Sequence, residues 1–269
     1  MLEQPAIWPQ SIRGINELAP KQKTAIYQTL IPDWIYPRFG IDPDTLTIND
    51  ENVLQLRCPE GSRAMEMSLY HTPLPHTTDP CLYANLADSF LGQLMVLLIV
   101  MNDPESERFN IDVTSSGKAT NLGTSSRNID EEIRAMEAGL APGQIRHGLR
   151  GFRNSVPVFE KFVERMNHDL FLIEPLSYHN AIIFERYGFG YTVGKSEIES
   201  INREFQQGGS LHRKLDGSTP FRKEDAWRTV RGRSWAIHDG ILGHSFTGFH
   251  MYKRIYRDAG VNTFPDAVW

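Results

Sequence analysis

Two short runs of strict two-residue alternation restrict this chain more than any other feature. Leu54, Leu56 and Cys58 alternate with Gln55 and Arg57, and Met65, Met67 and Leu69 alternate with Glu66 and Ser68. Successive side chains of an extended chain point to opposite faces, so each run gathers its apolar residues on one side. Pro59, Glu60, Gly61 and Ser62 lie between the runs and supply turn chemistry. The pattern predicts an antiparallel hairpin with one wet face, whose other face needs a second layer to cover it.

The rest of the chain is read from periodicity and breakers. Residues 20–31 predict a short amphipathic helix, ended by the Pro, Gly and Asp cluster of residues 32–44. A helix over 82–93 is expected to lead into a buried strand, 95–101, whose aliphatic run has no polar face, and the turn NDPESE to return the chain as a second strand, 108–114. Residues 117–126, rich in Gly, Ser, Thr and Asn, read as an exposed loop. Asn128 followed by Glu131 marks a helix start, and Gly139 with Pro142 its end. Ser155 is expected to cap a helix through Asn167 with Phe159, Phe162, Val163 and Met166 on one face. A short buried strand at 170–174, a helix over 178–187 stopped by Gly188, a strand at 189–193 and a helix over 196–205 follow. The expected fold is therefore α+β (mixed α/β), with antiparallel hairpins in the N-terminal half, alternating helix and strand in the C-terminal half, and a central mixed sheet flanked by helices. It is read as a single domain over 1–269, with an N-terminal arm of about residues 1–50 and a C-terminal extension of about 208–269.

Charge and cysteine usage narrow the partners. With 28 Lys plus Arg against 33 Asp plus Glu, the net charge of -5 argues against wholesale attraction to nucleic acid or an anionic membrane. Cys58 and Cys81 are the only cysteines and form no CxxC, which predicts a reducing, cytoplasmic setting. The start of the chain lacks a basic segment followed by an apolar core, and the longest apolar run, 94–101, is far shorter than the ~20 residues that span a bilayer. Any basic site must be local. Arg146, Arg150 and Arg153 cluster with His147, and Arg222, Lys223, Arg228, Arg231 and Arg233 cluster around Trp227 and Trp235. Guanidinium groups pair with phosphate or carboxylate and stack on aromatic rings, so the clusters predict a small anionic ligand.

One segment carries a resemblance. Asn180, Ala181, Phe184, Glu185, Arg186, Tyr187, Gly188 and Phe189 resemble the "N, A, then Y-E-x-x-G-F" segment of the GNAT superfamily of N-acetyltransferases, and the preceding helix and strand keep that family's order. The resemblance implies a mixed, V-splayed sheet and an acyl-CoA donor, with Asn180 near the cofactor tail and Tyr187 protonating the departing thiolate. It implies a base for the acceptor, for which Glu174 and His179 are the candidates. The family's phosphate-cradling loop, Q/R-x-x-G-x-G/A, directly follows a long strand; its nearest counterpart here is 143–151 (GQIRHGLRG), which nominates Gly143, Gln144, Arg146, Gly148 and Arg150 for the cofactor.

Two other readings stand beside this one. His71, His76 and Asp79 share a Pro-bounded loop, and His238, Asp239 and His244 share a short span, so a divalent transition metal held by two His and a carboxylate would make the chain a metal-dependent oxygenase or hydrolase. The abundance of Trp, Tyr and Phe also suits a non-catalytic binding or assembly module. The chain has no GxSxG elbow, no GxxxxGK[ST] loop and no strand-anchored GxGxxG, which argues against an α/β-hydrolase, a P-loop NTPase and a standard dinucleotide fold.

Overall fold

Apolar alternation lays down the predicted hairpin: Leu54 stands opposite Leu69 and Leu56 opposite Met67, with Met65, Met67 and Leu69 all buried. The computed structural model describes residue 5 and residues 7–75, 79–120 and 126–269. In chain order its elements are α1 (Ile12–Asn16), α2 (Pro20–Tyr27), α3 (Ile35–Phe39), β1 (Thr47–Ile48), β2 (Glu51–Asn52), β3 (Leu54–Arg57), β4 (Ala64–Leu69), β5 (Leu82–Asp88), β6 (Leu94–Met101), α4 (Ile129–Glu137), α5 (Phe152–Arg165), β7 (Leu170–Ile173), α6 (Tyr178–Arg186), β8 (Gly190–Val193), α7 (Lys195–Phe205), α8 (Ser210–Arg213), α9 (Val230–His238) and β9 (His250–Arg254). The fold is α+β. β1 and β2 form an antiparallel ribbon, and the remaining strands form a seven-stranded mixed sheet flanked by helices.

The chain divides into two compact units. The first comprises Met1–Glu105, Gly148–Ile173 and Tyr252–Arg257, and the second Ser106–His147, Glu174–Met251 and Asp258–Trp269. In the first unit the strand order is β3-β4-β5-β6-β7-β9. β3 to β6 are antiparallel neighbours and β7 joins β6 in parallel. β9 straddles the division, and its first residues, in the second unit, have β8 as neighbour.

In the first unit α1 is tied to the sheet by polar contacts. The Asn16 amide donates to the Ser62 and Ala64 carbonyls, and the Asp88 carboxylate accepts from the Ile12 and Arg13 amides. α5 buries Phe159, Phe162 and Val163, with Trp8 edge-on to Phe162 and Phe171 of β7 5.0 Å from Phe159. Lys253 and Glu160 form a buried ion pair at 3.4 Å between β9 and α5. In the second unit Phe109, Ile111, Ala135 and Leu140 make a small core, and the buried Glu185 carboxylate accepts from Tyr191, the Thr263 hydroxyl and the Thr263 amide.

Four local expectations are corrected. Residues 82–88 form strand β5, not a helix: Leu82, Ala84 and Leu86 are buried in alternation, and β4 and β6 each pair with them. Its turn closes through Ser89 and Gln93, with Gly92 at φ +78. β6 is not buried throughout; Leu94 and Val96 are, while Leu97 is exposed. Residues 108–114 form no strand, because Arg108 pairs locally with Asp112 and Asn110, and the segment makes only the single bridge Val113 to Ala119. The helix expected to start at Ser155 begins at Phe152; the Ser155 hydroxyl donates to the Gly151 carbonyl inside its first turn. Of the loop predicted over 117–126, Gly117, Lys118, Ala119 and Ser126 are exposed and Thr120 is buried, and 121–125 lie outside the described residues.

Candidate functional site

β6 is long and β7 is short, and the pair is joined only at Met95 to Leu172 and Val96 to Ile173. Beyond that point residues 97–101 of β6 run on for roughly 16 Å, at ~3.3 Å per residue, without β7 beside them. β7 ends at Ile173, the partner of Val96, so β6 runs on past the end of its parallel neighbour. Residues 148–151 return to the far end of that stretch: Asn102 bridges Gly148, and the Leu149 amide donates to the Met101 carbonyl at 3.1 Å. Gly151 then seats α5 against Trp34 and Met101. A Cβ at Gly151 would lie 2.2 Å from Trp34 Cζ2 and 2.9 Å from Met101 Cε, so only glycine fits.

The start of α5 beside this edge has the properties of an anion cradle. The amides of a first helical turn lack partners within the helix, and the helix dipole adds partial positive charge there. The Gly151 carbonyl accepts from Asn154 and Ser155, so it offers no obstruction of its own, and Arg150 and Arg153 are exposed on either side of the helix start. Trp34 Nε1 is buried with no hydrogen-bond partner among the described residues. An exposed pair of guanidinium groups and an orphaned indole donor fit an anionic phosphate-bearing group.

The other nominated residues lie in the second unit, apart from Gly148 and Arg150 above and His71, His76 and Asp79 below. Tyr187 is the half-buried C-cap of α6, followed by Gly188 at φ +79 and by Phe189, whose ring lies 5.2 Å from that of Phe184. Asn180 sits in the first turn of α6. Glu174 is exposed and pairs with His250 Nδ1 at 3.0 Å. His179 is buried, with Nδ1 2.9 Å from both the Ser177 and Ser234 hydroxyls; burial, reinforced by the nearby His238 and Arg231, lowers its pKa to about 3. Gly143 adopts φ +82, Gln144 accepts from the Ala141 amide at 2.7 Å, and Arg146 donates to the Ser106 carbonyl.

The metal reading gains no cluster. Among the described residues no three of His, Cys, Asp and Glu converge as ligands. His76 lies outside the described residues. His71 packs 6.2 Å from the Phe39 ring, and His71 and Asp79 belong to the first unit while His238, Asp239 and His244 belong to the second. Both Asp239 oxygens are occupied: one accepts from Arg127, the other from Thr219 and Arg222. His238 faces Glu132 at 3.2 Å and His244 faces Glu197 at 3.8 Å. Burial works against ionising Glu132, but hydrogen bonds and charge from His238 and Arg127 outweigh it and hold its carboxyl below the ordinary range. This network is a structural clasp between α4 and the end of α9.

Sequence reasoning found the loop and the arginine clusters but missed Trp34 and Glu132. Gly151 followed by an apolar face at helical spacing was the available signal for the first; nothing local marked the second, an acid within an acidic first turn. Among the described residues no helix is long and apolar enough to cross a membrane. No protein-family model, curated protein or solved structure matches the chain.

Proposed function

We propose that the chain is an acyltransferase that takes its acyl group from an acyl-CoA and passes it to a small amine or hydroxyl acceptor. The observation that carries this reading is that β6 outlasts its parallel neighbour β7, with the turn at 148–151 and the start of α5 held at the end of β6. A mixed sheet with a phosphate-cradling turn after a long strand is what the resemblance in residues 180–189 implies. Arg146 and Gly151 keep the first and last positions of the Q/R-x-x-G-x-G/A loop, with Leu149 at its first glycine. The excursion of residues 103–147 separates that loop from β6 in sequence, and the Leu149 to Met101 bond removes the separation in space.

The donor supplies an acyl group activated as a thioester. Arg150 and Arg153, exposed at the start of α5, hold its phosphates as charge-assisted hydrogen-bond partners. Glu174, which is exposed, is the residue to which the reading gives the acceptor's proton. Tyr187 gives its phenolic proton to the thiolate, the role the resemblance assigns to that position. His179 is sealed between two hydroxyls and is left without a part in proton transfer. Cys58 and Cys81 are both free thiols, which suits a cytoplasmic setting.

Isothermal titration of the full chain with acetyl-CoA, a long-chain acyl-CoA and free CoA tests the reading. Saturable binding that weakens with salt is expected, together with a loss of about tenfold or more when Arg150 and Arg153 are both changed to Gln. Absence of binding by all three ligands overturns it.

A further inference from the structure

The second unit contains a pocket of about 260 Å³ that the acyltransferase reading does not use. Two of its aromatic residues are spent on each other, and Arg127 lies 4.8 Å from the centre of the Phe221 ring. Phe221 and Trp235 stack with ring centroids 5.2 Å apart and planes 21° from parallel, both rings are buried, and Trp235 Nε1 is committed to the Leu140 carbonyl at 2.8 Å. Trp269, partly exposed, supplies the aromatic surface of the lining.

Arg231 lines the same pocket, and it differs from its neighbours in how its charge is met. Arg127 and Arg222 both pair with Asp239. Arg233 is fully buried, but its donors reach the Trp227 carbonyl and the Asn202 side chain, and its guanidinium lies 3.6 Å from the centre of the Phe264 ring. Arg231 donates to the Gly139 carbonyl and sits 5.7 Å from the centre of the Trp269 ring, while its Nε is buried with no hydrogen-bond partner. No carboxylate pairs with it among the described residues. Burial without a counter-charge pushes its pKa down, which marks a cation that gains from an incoming anion.

The guanidinium is also held in place. Gly139 adopts φ +86, and a Cβ there would lie 2.7 Å from Arg231 Nη1. One residue on, a Cβ at Gly232 would lie 2.6 Å from the Ala226 carbonyl oxygen, so the start of α9 is seated backbone to backbone. Lys223 and Asp225, both exposed, offset each other at the rim.

We infer that this pocket binds a small planar aromatic carboxylate, its ring against Trp269 and its carboxylate on Arg231. The volume decides the size. It falls below the ~300–1,000 Å³ of sites for drug-sized ligands, so one ring system with a short acid is accommodated and a nucleotide is not. The site shares no residue with the turn at 148–151, α5 or Tyr187, and it stands or falls independently of acyl transfer.

Titration of the full chain with benzoate and indole-3-carboxylate, against benzamide and indole-3-carboxamide, tests the inference by calorimetry and by tryptophan fluorescence. The carboxylates are expected to bind saturably, to perturb tryptophan emission, and to bind at least about tenfold more tightly than the amides. Arg231→Gln is expected to abolish that preference. Should Arg231→Gln fail to fold, Lys223→Gln at the exposed rim serves in its place and is expected to weaken carboxylate binding by about threefold while leaving the amides unchanged. Lack of saturable carboxylate binding, equal affinity for acid and amide, a folded Arg231→Gln that keeps the preference, or displacement of the bound acid by acetyl-CoA would each overturn the inference.

Discussion

The backbone amide of Leu149 donates to the carbonyl of Met101, and this bond joins the turn before α5 to the last residue of β6. Strand edges expose unpaired donors and acceptors, and here one such acceptor is met by a segment far along the chain. The same contact brings Gly151 against Trp34. The turn is therefore set by three elements, β6, α3's N-cap Trp34 and α5, rather than by its own sequence.

Gly151→Ala is expected to destabilise the fold by about 1–3 kcal/mol, because the new methyl meets an indole ring and a methionine that are already packed. Gly148→Ala is expected to cost less, since its Cβ would meet only the Met101 carbonyl oxygen, at 3.3 Å, and the site is exposed. Urea denaturation of the two variants, compared at equal m-value, checks the order.

The hairpin β3–β4 and helices α4, α6 and α7 were legible because each carries its own period and its own stop signal, such as Gly188 after α6. β5 was not, because LYANLAD mixes helix-favouring Leu and Ala with a two-residue alternation, and the tertiary need of β4 and β6 for partners decides between them. The parallel pairing of β6 with β7 is non-local, and no local period encodes it. The arginine cluster at 228–233 was visible as a composition, but residues two apart on a helix do not share a face, so Arg231 and Arg233 have different fates.

Tyr187→Phe removes one proton and little volume. On the acyl-transfer proposal it lowers kcat by about 100-fold while leaving the KM for acyl-CoA within twofold, since the hydroxyl acts on the leaving thiolate and not on the bound donor. Steady-state kinetics with varied acyl donor separate the two parameters. A kcat within twofold of the unmodified protein removes Tyr187 from the mechanism.

Asp239→Asn keeps the shape of the clasp and removes its charge. Arg127 retains Glu132, but Arg222 loses the carboxylate it pairs with, and Asp239 itself is largely buried. The expected loss of stability is about 3 kcal/mol, as when one partner of a buried ion pair is neutralised. Thr219→Val, which deletes a single 2.8 Å hydrogen bond to the same carboxylate, is expected to cost about 1 kcal/mol. Thermal unfolding of both variants tests whether the network is a clasp.

His179 makes stability depend on pH in a direction that can be worked out. Burial, with the charges of His238 and Arg231 acting the same way, lowers its pKa to about 3, against 6.5 for an ordinary histidine. Above pH 6.5 the ring is neutral in both the folded and the unfolded chain, and its contribution is fully present. As pH falls below 6.5 the unfolded chain takes up a proton that the folded chain refuses, so stability declines by up to about 1.4 kcal/mol per pH unit until the folded ring protonates near pH 3. Carboxylates such as Glu132, held below their ordinary range, also lose stability in acid, so the histidine must be isolated by difference. His179→Asn preserves a hydrogen-bonding group near the Ser177 and Ser234 hydroxyls and cannot titrate in this range. Urea denaturation at a series of pH values from 8 to 4 should find the variant less stable at pH 8 and the gap closing as pH falls, because only the unmodified chain carries the histidine's share of the acid loss. Parallel curves would mean that the ring protonates in place, and that solvent reaches a site the structure seals.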